Sequence, residues 1–336
     1  MKSYRQLILF GSPGTGKSHK VKVDILPSLG ITSENNNSVH TVFHPEYTYG
    51  DFVGKILPLT IDKQVDYKYY EGSFLKAIAK AYKNILNIEE GTNPENVALI
   101  IDEINRGNSA AIFGIGFQLL DRDLDGWSTY SVDVSDMEFD KILRLMDISK
   151  FLGNNQQTIY QYGSQRYSEN DFDDFLMKRL KIKRKQIRIP GNMSIIATMN
   201  TSDSSIYHMD SAFKRRWEWQ YIDVSGDLPA DDISIAFPNR NEWKIFINKL
   251  NSFIKSQTQF IRKAEDKQIG HYFVQDEQVS KSSIQNKVMF FIWDSVFTTS
   301  KKPLYDLLEL DEKALVTFGD FTKQVDNFIE KILNYK

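Results

Sequence analysis

The chain has 336 residues and a formal net charge of −2, room for about two domains and no global basic field for nucleic acid. Cysteine is absent, which excludes disulfides, thiolate zinc sites and a cysteine nucleophile, and fits a reducing, cytoplasmic setting. No apolar run is long enough to span a bilayer and no signal peptide precedes the first strand, so no membrane role is expected.

The apolar run Leu7-Ile8-Leu9-Phe10 leads into Gly11-Ser12-Pro13-Gly14-Thr15-Gly16-Lys17-Ser18. This is the spacing of the phosphate-binding loop. The glycines let the backbone curl its N–H groups toward phosphate oxygens. Lys17 can neutralise the β and γ phosphates, and the Ser18 hydroxyl can ligate Mg²⁺. A helix opening near Ser18 and His19 adds the positive end of its dipole. The loop alone says nucleoside triphosphate, and Gly11 through His19 are the expected contacts.

Apolar runs at 39–43, 97–101 and 193–198 read as buried parallel strands, with a fifth candidate at 217–222. Helical patterns lie between them, at 73–82 and 110–120. The alternation predicts an α/β fold, a parallel sheet flanked by helices with ligand loops at the carboxyl ends of its strands. Residues from about 128 to 190 interrupt the rhythm. They are polar and irregular, carry Asn154-Asn155-Gln156-Gln157, and read as an insertion projecting from the core. The insertion ends in a run from 178 to 188 with seven basic residues and no acidic one. Past about 226 the composition shifts through Gly226, Pro229 and Pro238, and amphipathic helix follows, for example at 242–254 and 321–333. The expected division is therefore a large nucleotide-binding domain over 1–225 and a smaller helical domain over 226–336.

Asp102-Glu103 closes the strand at 97–101. An acidic pair at the end of an apolar strand can hold Mg²⁺ through Asp102 and orient or deprotonate the attacking water through Glu103. Its plainer reading is a surface pair capping a helix. Asn200 closes the strand at 193–198, where an amide can hold the water near the γ phosphate, or simply end the strand in a turn. Arg215-Arg216 follow after a short helix. They either satisfy its C-terminal dipole or reach a neighbouring subunit's nucleotide.

These four elements in this order resemble the AAA+ superfamily, and one branch more closely. Asp102-Glu103-Ile104-Asn105-Arg106-Gly107-Asn108 resembles the DEINRAN string of McrB-like motors. Met199-Asn200-Thr201-Ser202-Asp203 resembles their MNTAD string. Residues 209–217 and 43–53 are similar to two further family strings, and Gln268-Ile269-Gly270-His271-Tyr272-Phe273 to a third near the C-terminus. The likeness spans nearly the whole chain apart from 128–190. It implies an AAA+ P-loop NTPase with a C-terminal helical lid, working as a homo-hexameric ring that hydrolyses nucleotide at subunit interfaces. It implies GTP rather than ATP, a McrC-like nuclease partner, and DNA reached through that complex in restriction and antiviral defence. By motif match Asn105 and Arg106 join the hydrolysis machinery, and Arg215 or Arg216 acts in trans. His271 is the candidate contact to the base.

Known members carry an N-terminal domain that reads modified cytosine. Here the phosphate loop begins at residue 11, so target recognition is expected in a partner or in the insertion. A MoxR-like ATPase remodelling a protein partner is the alternative; MoxR-type chains share a DEINRA string but lack the strings that residues 199–203 and 43–53 resemble. A nucleotide-gated scaffold with slow turnover is a third reading. The basic run reads either as a solvated arm or as a surface for DNA phosphates or an acidic partner. Tyr67, Tyr69, Tyr70 and Phe74 read as packing for the helix ending near Tyr82 rather than as base-stacking groups. His40, His44 and His208 show no metal-ligand spacing.

Overall fold

The structure is a computed structural model and describes residues 4–61, 64–88, 92–153, 156–201, 207, 209–224, 234–261, 264–274 and 276–335. Asn154, Asn155, Ser202, Asp203, His208, Gly226 and Pro229 lie outside the described residues. The chain divides into two compact units, Met1–Glu218 and Trp219–Lys336.

The first unit is built on strands β1 (Gln6–Gly11), β2 (Ser38–Val42), β3 (Val97–Asp102) and β4 (Met193–Asn200). Within this unit the strands stand side by side in the order β1-β4-β3-β2. The pairs β1/β4, β4/β3 and β3/β2 are parallel. Leu7 to Phe10 and Val97 to Ile101 are buried without alternation, because a central parallel strand is covered on both faces. β2, at the sheet edge, is half exposed along its length. Register sets the position of the chemistry. Gly11 stands opposite Asn200, Ala197 opposite Ile101, and Val42 opposite Asp102, so the carboxyl ends of the strands share one edge.

Helix α1 (Lys17–Lys20) continues through a π turn, Val21–Ile25, into Leu26–Ser28. Helix α2 (Ser73–Leu86) buries Phe74, Leu75, Ile78, Tyr82 and Ile85, which recur at helical spacing. The helix expected over 110–120 divides in two. α3 (Ser109–Phe113) is capped by the Asn108 side chain and stops at Gly114, whose φ is +52°. A Cβ there would sit 2.7 Å from the Tyr49 ring, so a glycine is needed both for the turn and for the close approach. The chain then tightens into a 3₁₀ stretch, Gly114–Leu120.

The insertion is regular rather than irregular. α4 (Asp136–Leu145) opens on a Ser135/Glu138 capping box. A three-stranded antiparallel sheet follows, Ile148–Leu152, Thr158–Tyr162 and Gln165–Tyr167, and then α5 (Glu169–Leu180), capped by Ser168. Both helices pack on α2. Their polar composition hid them. Each buries only one stripe, Phe139, Ile142 and Leu143 in one and Phe172, Leu176 and Leu180 in the other, and shows its charges outward. Tyr160 stacks on Phe172 with centroids 4.1 Å apart.

The aromatic cluster also falls differently from expectation. Tyr67, Tyr69 and Tyr70 lie on a hairpin of Gly54–Ile61 and Gln64–Glu71, and Tyr67 is 65% exposed. Phe74, in α2, is buried against Phe52.

In the second unit α6 (Arg240–Ser256) starts at Asn239, whose side chain accepts from the backbone N–H groups of Asn241 and Glu242. It packs on α7 (Val325–Leu333), with Phe246 edge-on to Phe328. The helix expected over 321–333 is two helices, Phe318–Thr322 and α7, because a Thr317/Asp320 capping box opens a separate short turn first. Ile235–Phe237 pairs antiparallel with Val279–Ser280. No helix among the described residues is long and apolar enough to cross a membrane.

Candidate nucleotide site

β1 ends at Gly11, and the loop turns through Gly14 (φ +78°) and Gly16 (φ +83°) into α1. These left-handed positions are closed to most side chains, and such a turn is what lets a loop curl its N–H groups around an anion. Lys17 is 7% exposed. Its Nζ donates to the carbonyls of Gly11 (3.1 Å) and Ser12 (2.7 Å), which aims the ammonium along the inside of the loop. Thr15 Oγ1 donates to Ser12 O at 3.0 Å and braces the same turn.

Asp102 ends β3 beside this loop. Its Oδ1 accepts from Ser18 Oγ at 3.2 Å and from Thr198 Oγ1 at 2.7 Å. Glu103 adopts φ +55° and ψ +46°. A glutamate held in the left-handed region costs about 1–3 kcal/mol, a strain that concentrates at functional sites. The surroundings hold it there. Its N–H donates to Thr198 Oγ1 at 3.4 Å, its Oε1 accepts from Asn200 Nδ2 at 2.9 Å, and Arg106 Nε lies 3.4 Å from its Oε2. Asn105 is 1% exposed and donates through Nδ2 to Asn200 O at 2.8 Å, tying the end of β4 to the turn after β3. The result is a cavity of about 300 Å³ lined by residues Pro13 to His19 with Asp102, Glu103, Thr198 and Asn200.

These donors fit a magnesium nucleotide. Ser18 and Asp102 present hard oxygen ligands side by side, and Gly14 and Gly16 add no side chain to the loop.

No family model matches the chain. It is 29% identical over 360 aligned positions to the type II restriction enzyme BsuMI component YdiS of Bacillus subtilis strain 168, covering 96% of this chain and 89% of that protein. It is also 27% identical over 227 positions to the type IV methyl-directed restriction enzyme EcoKMcrB subunit of Escherichia coli K12, covering 67% of this chain and 37% of that protein. The chain is thus similar to a restriction-enzyme component and to a McrB subunit. A solved structure of a candidate ATPase from Cytophaga hutchinsonii aligns over 98% of this chain and 85% of that one at 13% identity, with a TM-score of 0.29, too low to carry an argument. The α/β P-loop AAA+ fold is instead plain in the sheet order and the loop after β1.

The phosphate loop, Ser18, Asp102, Glu103 and Asn200 meet in one pocket, with Asn105 and Arg106 bonded to its members. Arg215 and Arg216 do not line it. Arg216 is engaged inside its own unit. It donates to Asp121 Oδ2 at 2.6 Å and to Ala212 O at 2.8 Å, and stacks over Phe117 at 4.1 Å. Arg215 beside it is exposed. His271 belongs to the second unit, where its ring lies 3.3 Å from Asn248 Oδ1 and its carbonyl accepts from Arg240 and Trp243.

Thr198 is the site residue that sequence reasoning missed. It precedes Asn200 by two positions, and residues i and i+2 of a strand share a face. A threonine two residues before the strand-ending Asn200, after the apolar Ile195-Ile196-Ala197, was the available signal.

The basic run is largely spoken for. Arg179 donates to the carbonyls of Ile85 and Leu86, Lys181 pairs with Asp125, Lys185 with Asp136, and Arg184 with both Glu169 and Asp173. Arg188 lies 3.7 Å from Asp123 and donates to Ser128 O. Lys178 and Lys183 are exposed.

Proposed function

We propose that this chain is the nucleotide-hydrolysing motor of a restriction complex. GTP is its substrate, and it works as a homo-hexameric ring beside a McrC-like nuclease that meets the DNA. The observation that supports the motor chemistry is the convergence of Lys17, Ser18, Asp102, Glu103 and Asn200 on one cavity beside the phosphate loop. The choice of GTP, the ring and the nuclease rest on the likeness to the McrB subunit and on the restriction-enzyme names of both relatives.

In this reading Lys17 leaves its loop carbonyls for the β and γ phosphates. Ser18 and Asp102 hold Mg²⁺, which when bound neutralises charge developing on the phosphate oxygens. Asn200 and Glu103, already 2.9 Å apart, position the water. Its oxygen bonds to the γ phosphorus as the bond to the bridging oxygen breaks, GDP leaves, and the proton passes to the Glu103 carboxylate. Asn105 positions Asn200 through its backbone, and Arg106 orients Glu103. Arg215, exposed and close in sequence to a braced partner, is the arginine offered to the neighbouring subunit, and Arg216 is the brace.

The test is steady-state turnover of GTP and ATP, each with and without the candidate nuclease. Glu103→Gln should lower turnover by about 10²–10⁴-fold while nucleotide binding is retained. Turnover of ATP equal to that of GTP rejects the GTP assignment, and a fully active Glu103→Gln rejects the site.

A further inference from the structure

Gln6 is the one polar side chain in a buried, otherwise apolar strand. It opens β1, is 5% exposed, and precedes Leu7, Ile8, Leu9 and Phe10. Its Nε2 donates to two carbonyls far along the chain, Leu120 O at 2.9 Å and Arg216 O at 2.6 Å. The segments that own those carbonyls meet a second time. Leu120 ends the 3₁₀ stretch, and the next residue, Asp121, accepts from Arg216 Nη2 at 2.6 Å. Gln6, Leu120-Asp121 and Arg216 therefore form a closed ring of contacts.

The ring holds Arg216 at both ends. Gln6 fixes its carbonyl, while Asp121, Ala212 O and the Phe117 ring fix its guanidinium. The turn around it is bonded as well, with Arg216 N–H donating to Phe213 O and Trp217 N–H to Lys214 O, each at 3.2 Å. Arg215 lies inside this turn with its side chain exposed. A residue placed at the start of β1 for stability alone would be apolar. Gln6 Oε1 and Arg216 Nε are instead both buried without a hydrogen-bond partner, which costs stability. Departures from an apolar core are expected where function requires them. What Gln6 supplies is position: one buried strand grips the arginine turn at its first residue and carries the phosphate loop at its last.

We propose that Gln6 is a positioning residue for Arg215. By locking the carbonyl of Arg216, it sets where the exposed arginine is offered to a neighbouring subunit's nucleotide. This rests on the reading above that Arg215 acts in trans.

The test is single-turnover hydrolysis by the assembled full chain of magnesium GTP or magnesium ATP, whichever the unsubstituted chain turns over, with nucleotide affinity and a thermal melt measured beside it. Gln6→Met keeps the length of the side chain and removes both donated bonds. Hydrolysis is expected to fall by about 10²-fold, the cost of displacing a reacting group by about 1 Å. Nucleotide affinity is expected to stay unchanged, as for a group that acts only in the transition state. In an Arg215→Ala background Gln6→Met is expected to cost nothing further, whereas independent losses would multiply. Asp121→Asn, at the half-exposed corner of the ring, replaces Gln6→Met if that variant melts below the assay temperature. Its loss is expected to be smaller and again absent in the Arg215→Ala background. Normal hydrolysis by Gln6→Met, weakened nucleotide binding, or a further loss on top of Arg215→Ala overturns the proposal. An Arg215→Ala chain that hydrolyses normally removes the trans reading and this one with it; an impaired Arg215→Ala beside a normal Gln6→Met removes this one alone.

Discussion

Thr198→Val is the sharpest single test of the site, because it removes one hydroxyl and nearly preserves shape. Thr198 is 3% exposed, and its Oγ1 donates to Asp102 Oδ1 at 2.7 Å while accepting the Glu103 N–H at 3.4 Å. The first bond is short and made to a carboxylate, a class worth about 1.5–3 kcal/mol, and the second is long and adds little. If that bond holds Asp102 where magnesium needs it, losing it costs about 10- to 150-fold in turnover. Valine also removes the long contact from the Glu103 N–H, a small loss beside the first. Thr198→Ser keeps the hydroxyl and should stay within about threefold of the unsubstituted chain, since it loses only a methyl group. The assay is steady-state nucleotide turnover at several magnesium concentrations, with a thermal melt beside each. The deficit should be largest at limiting magnesium. A Thr198→Val chain that turns over normally at limiting magnesium would refute the reasoning, as would a Thr198→Ser chain equally impaired.

Arg215→Ala and Arg216→Ala should separate cleanly. The first should leave the melting temperature alone and lower turnover of the assembled protein by about 10³-fold or more, as expected of an arginine supplied in trans. The second should lower stability by about 1–3 kcal/mol, because Asp121 loses its partner and Phe117 its stacked cation; equal melting temperatures for the two variants would contradict this division. Asp51 gives a pH-dependent prediction. The Lys55 ammonium, then the Thr48 hydroxyl, pull its carboxyl down to about 2. Its folded pKa is depressed, so its stabilising effect is complete above about pH 4, the unfolded value, and disappears as pH falls through about 2. The pair is solvent-exposed, so Asp51→Asn should cost no more than about 1 kcal/mol at neutral pH. Chemical denaturation from pH 7 to 2 should show that gap closing with acid.

Much of the sheet and the loop was legible in the sequence because buried parallel strands and the phosphate loop have local signatures. Leu7 to Phe10 and Val97 to Ile101 read as strands without a partner in view, and register then fixed Gly11, Asp102 and Asn200 at one edge. What was not legible depended on contacts across the chain. The stop at Gly114 is set by the Tyr49 ring, 65 residues earlier in sequence and visible only once folded. The insertion looked irregular because its helices bury single stripes against α2, a surface that the local sequence does not display. The two arginines were equivalent in the motif, and only Asp121 and Phe117 distinguish them.

The same reasoning bears on whether residues 178–188 are a nucleic-acid surface. Seven basic residues in a row of eleven suggest one, but a phosphate contact needs a cation that is not already neutralised. Arg184 is the clearest case. Its guanidinium donates through Nε to Asp173 at 3.0 Å and lies 3.0 Å from Glu169, and the Asp173 bond above all holds it firmly protonated within the protein. Reversing it places three carboxylates together where the turn after α5 meets that helix. Arg184→Glu should therefore lower the melting temperature without changing the salt dependence of DNA binding by the assembled complex. Lys183→Glu, on an exposed neighbour, should leave the melt alone and reduce the salt slope by about one if the run does meet phosphate. A slope that falls with Arg184→Glu at constant stability would mean that its carboxylate partners release it on binding, and that the run is a DNA surface after all.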